Sequence, residues 1–223
     1  MEASMKSNRS FWGYTQISII LVATLWSANT SANEVSLTEN LPFIDIRFAG
    51  KTVRIERNQD TGHKLDNSFA KTSRPCPPFC IHPIKAAPGV ETIAELELFD
   101  FLLTDVRQAE GLLVDARIPE WYHKGTIPGA VNIPFTIITE KLNNSSLQKV
   151  LTALGGKQTA SGAWDFSAAV KLLLFCNGPW CDQSPRAIKG LLRIGYPPEK
   201  LKYYRGGMQM WQLLGLTTIK PTN

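Results

Sequence analysis

The sequence predicts an α/β protein: a doubly wound parallel sheet flanked by helices, preceded by a small β-hairpin extension. Three observations carry that expectation. Apolar runs too short for helices, at residues 112–115, 171–175 and 201–204, alternate with stretches of helical spacing, as strands buried on both faces do. Residues 41–56 alternate apolar and polar on either side of Ala49-Gly50-Lys51, which reads as a hairpin. No segment of about 20–50 residues repeats, which argues against a solenoid. With 43% hydrophobic and 19% charged residues the chain can build a core, so wholesale disorder is excluded. The net charge of +5 comes without a dense Lys/Arg block and gives no support for a nucleic-acid partner.

Lys6 and Arg9 precede an apolar run from Ile17 to Trp26, and Thr30 and Ala32 fit a small-residue cleavage site. Residues 1–32 are therefore expected to be a signal peptide cut after Ala32. The run is too short for a bilayer, which needs roughly 20 apolar residues. An uncleaved anchor, lengthened by Phe11, Trp12 and Tyr14, is the rival reading. The chain is expected to be periplasmic or secreted and to meet a membrane only through this segment. Residues 33–89 form a β-rich extension with the hairpin and a loop, RPCPPFCIHP at 74–83, whose prolines exclude a helix and any central strand.

The main domain is expected over 90–219. A helix over 92–103 carries Ile93, Leu96, Phe99, Leu102 and Leu103 on one face, with Thr92 and Glu95 as a capping box. Residues 127–134 hold a turn and a brief strand. A helix over 139–154 ends at Gly155-Gly156. Another over 184–194 has Pro185 at its first position and Gly195 closing it. Gly206-Gly207 opens a last helix through Leu214.

Chemistry concentrates after the most apolar strand. There the chain reads Cys176, Asn177, Gly178, Pro179, Trp180, Cys181, Asp182, Gln183, Ser184, Pro185, Arg186. Loops at the carboxyl ends of parallel strands form the ligand crevice of such folds. Gly178 and Pro179 favour a tight turn whose N–H groups point inward, and the next helix adds its positive end. Both stabilise a thiolate at Cys176. From position alone Cys176 is a reactive thiol, a buried strand-end cysteine or half of an inert disulfide.

Four ordered segments, ETIAELELFDFL, LLVDARIPEWYHKGTIPGAVNIP, LLLFCNGPWCDQSPRAIKGLLRIGY and YYRGGMQMWQLLGL, resemble the rhodanese (sulfurtransferase) domain over about residues 91–218. The resemblance implies a rhodanese-like fold in which Cys176 carries sulfane sulfur as a persulfide. That sulfur passes from a small donor, thiosulfate or another sulfane-sulfur compound, to a thiol or similar acceptor. No cofactor is implied. Asp115 and Arg117 match the family's Asp-x-Arg, read here as structural support. Gly129 and Asn132, and Gly206, Gly207 and Trp211, match its turn and packing positions. The family's Gly-His-Ile-Pro-Gly has Thr126 in place of histidine. Ser184 lies eight positions after Cys176, where the family's small residue comes about six after, so the pocket is altered. Arg186, ten positions on, stands too far away to close the short anion loop of a related phosphatase.

Cys181, inside the loop, is a candidate resolving cysteine, half of an inert disulfide, or a packing residue. Cys76 and Cys80 are expected to form a small disulfide; with His82 they make only three crowded metal ligands, one short of a structural zinc site, so no metal is assigned. His63 and His123 are isolated, and Trp180 either covers the loop or packs. Two rivals to sulfur transfer remain. One is a thiol–disulfide relay using Cys176/Cys181, with or without Cys76/Cys80, and an exported redox partner protein. The other is a non-catalytic interaction module.

Overall fold

Residues 171–175 and their neighbours are apolar at nearly every position, so they are stable only with both faces covered. The computed structural model, which describes residues 34–65, 68–76 and 80–221, shows that arrangement. Strands β3 (Glu91–Ile93), β4 (Gly111–Asp115), β5 (Val131–Asn132), β8 (Lys171–Phe175) and β9 (Leu201–Tyr204) form one sheet in the order β3-β9-β8-β4-β5. Every neighbouring pair is parallel. Successive residues of β8 go to opposite faces. Leu172 and Leu174 join Phe135, Leu147, Ile188 and Leu191. These come from α3 (Phe135–Ile138), α4 (Ser145–Ala153) and α5 (Gln183–Ile194). Leu173 and Phe175 join Leu98, Phe99, Met208 and Trp211, from α1 (Glu95–Phe101) and α6 (Gly207–Leu213). The α/β doubly wound expectation holds.

The hairpin also forms. Strands β1 (Phe43–Phe48) and β2 (Lys51–Glu56) pair antiparallel, Phe48 opposite Lys51. Ala49 and Gly50 both take positive φ, 47° and 78°, the two-residue turn that follows strand twist. Ile44, Ile46 and Ile55 bury against the α1/α6 face of the sheet. The hairpin thus shares the core, and Glu34–Asn223 is one compact unit. The signal-peptide reading falls on residues 1–32, outside the described residues.

Several boundaries differ from expectation. The helix expected over 92–103 starts later, because Glu91–Ile93 pairs with β9 as an edge strand. Ala94 is the N-cap and its N–H donates to the Glu97 carboxylate, while Thr92 Oγ1 donates to the Ile84 carbonyl. The shift leaves Leu96, expected inside, 56% exposed. A π-helical turn, Leu102–Val106, follows α1. Only the later part of the helix expected over 139–154 forms: α3 ends at Ile138, before it, and α4 begins only after Asn144, whose Oδ1 accepts from the Ser146 and Leu147 amides. Helix α5 begins one residue earlier than expected, so Pro185 is its third residue; a first-turn position still needs no N–H. Gly195 closes it in the left-handed region at φ 98°. Helix α2 (Pro119–Lys124) and the small hairpin β6 (Lys157–Gln158)/β7 (Trp164–Asp165) were not expected from the sequence.

Candidate functional site

Strand β8 ends at Phe175, and the next residue, Cys176, sits where the sheet's carboxyl edge meets α5. The loop 176–182 is shaped from within and from outside. Within it, the Cys181 amide donates to the Gly178 carbonyl at 2.9 Å, closing the turn that Gly178-Pro179 favours. From outside, the first turn of α6 binds the loop: the Met208 amide donates to the Cys176 carbonyl at 3.0 Å and the Gln209 amide to the Asn177 carbonyl at 2.9 Å. This approach requires glycine at 207. Its φ is +55°, and a Cβ there would lie 2.4 Å from the Cys176 carbonyl oxygen.

Both loop sulfurs are buried, Cys176 at 1% exposure and Cys181 at 3%. Ser184 Oγ donates to Cys176 Sγ at 3.1 Å. Burial alone pushes the Cys176 thiol up. The Cys181 thiol, the Ser184 hydroxyl and the amides of Ser184 and Gly178 together outweigh it and pull Cys176 down to about 7. Cys181 moves the other way, raised first by its hydrogen bond to Cys176 and then by burial. The pair therefore divides its roles: Cys176 ionises and Cys181 keeps its proton. In the neutral state the Cys176 thiol donates to the Cys181 carbonyl at 3.3 Å.

Beneath the loop lies a buried ion pair. Asp115 ends β4, and Arg117 grips it twice, Nη2 to Oδ2 at 2.5 Å and Nε to Oδ1 at 2.8 Å. The guanidinium also donates to Asn177 Oδ1 at 3.2 Å and to the Gly125 carbonyl at 2.6 Å. Thr126, at the position where the family pattern has histidine, donates its hydroxyl to Asp115 Oδ2 at 2.7 Å. Asn132 Nδ2 donates to the carbonyls of both Asp115 and Arg117. Asp115 and Arg117 hold the loop through Asn177; neither bonds a sulfur.

The remaining loop residues face a cover. Trp180 donates its indole N–H to Gln209 Oε1, lies 6.4 Å from the Phe69 ring, and carries the Arg74 guanidinium 4.0 Å above its face. Gln209 Nε2 donates in turn to the Phe69 carbonyl. The Pro179 carbonyl accepts from the His82 amide at 3.0 Å, and Arg205 Nη2 holds the His82 carbonyl at 2.8 Å. The extension thus packs on the loop at Phe69, Arg74 and His82. Cys76 and Cys80, between those anchors, are joined in a disulfide with Cα atoms 5.0 Å apart, which removes them as metal ligands. Asp182 and Arg186 interact at 4.0 Å, and Arg186 lies over the Phe135 ring. Gln183 Oε1 is buried without a hydrogen-bond partner. A groove of about 510 Å³ reaches the loop at Pro179, beside Arg205 and Met210. Phe69, Arg74, Arg205 and Gln209 were not identified from sequence as site residues, and His82 was weighed only as a metal ligand, since only folding places them beside Trp180 and Pro179.

A buried thiol that ionises near neutrality, among inward N–H groups, is a nucleophile built to hold negative charge on sulfur. Comparison with known proteins adds the lineage. The rhodanese-like domain family pattern matches residues 100–214. An HTH-type transcriptional regulator of Mycobacterium tuberculosis is 28% identical over 115 residues, 52% of this chain and 40% of that protein. The chain thus spans less than half the length of this curated relative. Among solved structures, a thiosulfate sulfurtransferase from Pseudomonas aeruginosa is 20% identical with a TM-score of 0.41, over 63% of this chain and 22% of that one. A human single-domain sulfurtransferase is 20% identical with a TM-score of 0.39, over 56% and 96% respectively.

Proposed function

Because the chain belongs to the rhodanese-like domain family, we propose that it is a sulfurtransferase in which Cys176 carries sulfane sulfur as a persulfide. The observation that supports it is the environment of Cys176: a buried sulfur facing the Gly178 and Ser184 amides and the Ser184 hydroxyl, with its pKa lowered. The Cys176 thiolate attacks the outer sulfur of a donor. A Cys176 S–S bond forms, the donor's bond to that sulfur breaks, and the donor leaves with the electron pair. With thiosulfate the leaving group is sulfite. The persulfide anion then rests among the same donors. An acceptor thiol attacks its outer sulfur, takes it, and regenerates the Cys176 thiolate.

The proposal extends to location. The apolar leader and a disulfide at Cys76–Cys80 support an exported, oxidising setting. Sequencing the amino terminus of the protein recovered from its host tests this, with cleavage after Ala32 expected. The sulfur chemistry is tested by intact mass after incubation with a sulfane-sulfur donor, using the Cys181→Ser variant so that any persulfide persists. One added sulfur at Cys176, absent from Cys176→Ser, is expected. No added sulfur with thiosulfate and with an aryl thiosulfonate would sink the reading. A thiol–disulfide relay is the second reading, favoured by the two loop thiols shifting one another in opposite directions, Cys176 down and Cys181 up. Its mark is a reversible Cys176–Cys181 disulfide with no sulfur ever bound.

A further inference from the structure

We propose that Cys181 resolves the Cys176 persulfide within the chain, so that the protein reduces sulfane sulfur to sulfide and closes a Cys176–Cys181 disulfide. This rests on the sulfur-transfer reading and names the first acceptor in it. Three observations carry it. The turn closed by the Cys181 amide on the Gly178 carbonyl brings position 181 back toward 176, and the Cys176 sulfur lies 3.3 Å from the Cys181 carbonyl oxygen. The two thiols also act on one another, Cys176 being shifted down and Cys181 up. Both cysteines are buried, and Trp180 between them in the loop is held by Phe69, Arg74 and Gln209, so an external thiol must reach a sulfur closed off from solvent while Cys181 already lies in the same closed turn. A nucleophile held in place reacts as though at very high local concentration.

The step balances without further reagents. The Cys181 sulfur attacks the inner sulfur, Cys176 Sγ. A Cys176–Cys181 S–S bond forms, and the bond from Cys176 Sγ to the outer sulfur breaks. The outer sulfur leaves with the electron pair and takes the Cys181 proton, departing as HS⁻. The two cysteines are oxidised by two electrons and the sulfane sulfur is reduced by two. The proton passes from Cys181 to the outer sulfur as the new bond forms, and the amides of Asn177 and Gln183 favour negative charge on the Cys181 sulfur as the proton leaves. A second cycle requires an external dithiol, which reduces the new disulfide and is itself oxidised.

The test uses the reduced full chain with thiosulfate or an aryl thiosulfonate, whose leaving groups, sulfite and sulfinate, are not thiols, and no added thiol. Wild type is expected to release stoichiometric sulfide and to show a Cys176–Cys181 disulfide by peptide mapping. Cys181→Ser and Cys181→Ala are expected to hold a stable Cys176 persulfide and release no sulfide. A stable persulfide in wild type as well, with no sulfide, overturns the resolving role and leaves sulfur transfer intact. Failure of all three proteins to take up sulfur overturns both. The wild-type disulfide map stands alone should either variant fold poorly.

Discussion

The thiol of Cys176 owes its acidity to single groups, so it is sensitive to single atoms. Losing a hydrogen bond to a charged group costs about 1.5–3 kcal/mol, which is about one pKa unit or more. Ser184→Ala is therefore expected to move the midpoint of the pH profile for alkylation of Cys176 upward by about one unit. In wild type the sign follows from the lowered value: reactivity falls as pH drops through about 7, where an unperturbed thiol would already be protonated at higher pH. Asp115 has a different role. Asp115→Asn strips the charge from a pair in which Arg117 is buried, and breaking such a pair costs about 3–5 kcal/mol. Denaturant unfolding should show that loss while the alkylation midpoint stays near wild type. Cys176 and Cys181 were visible in the sequence because strand position and spacing are local facts, while Asp115 and Arg117 were singled out through the family resemblance. The partners of Trp180 were not, since Phe69 lies 111 positions away and Gln209 29 positions away.

Strands that are mostly apolar were legible to the residue: β8, with Lys171 at its start, and β9, with Lys202 inside it, have the bounds read from the sequence. Elements whose ends depend on neighbours were not. Residues 91–93 share the helical spacing of residues 94–103, yet sheet pairing to β9 takes them, and the capping moves two residues on. Asn144 was passed over as a cap inside a longer apolar pattern. Asn144→Ala should cost about 1 kcal/mol in unfolding free energy and leave Cys176 chemistry unchanged. The contact between α6 and the loop is less forgiving. Gly207→Ala places a methyl group against the Cys176 carbonyl and the Gly178 amide. Sulfur loading of Cys176 is expected to fall more than stability does, and measuring both on one preparation separates the two effects.

For the whole molecule, the sequence reads as an extension over 33–89 and a domain over 90–219, yet Glu34–Asn223 is one compact unit in which the extension packs on the loop. The extension is anchored at Phe69, Arg74 and His82, around the Cys76–Cys80 disulfide. A bridge closing so short a loop contributes about 2 kcal/mol in the chain-entropy account. Cys76→Ser is expected to lower stability by about that much and to speed labelling of Cys176 by a bulky maleimide more than by iodoacetamide. Equal acceleration for both reagents would place the cover elsewhere. The tie between α6 and the loop also has a bearing on biosynthesis. The loop takes its shape from amides at positions 208 and 209, synthesised some thirty residues after Cys176 itself. A nascent chain that has not reached position 208 lacks those clamps, so the loop around Cys176 cannot yet take its folded shape. The Cys176 pocket is thus assembled late, after the stretch of synthesis in which all four cysteines already stand on one unfinished chain.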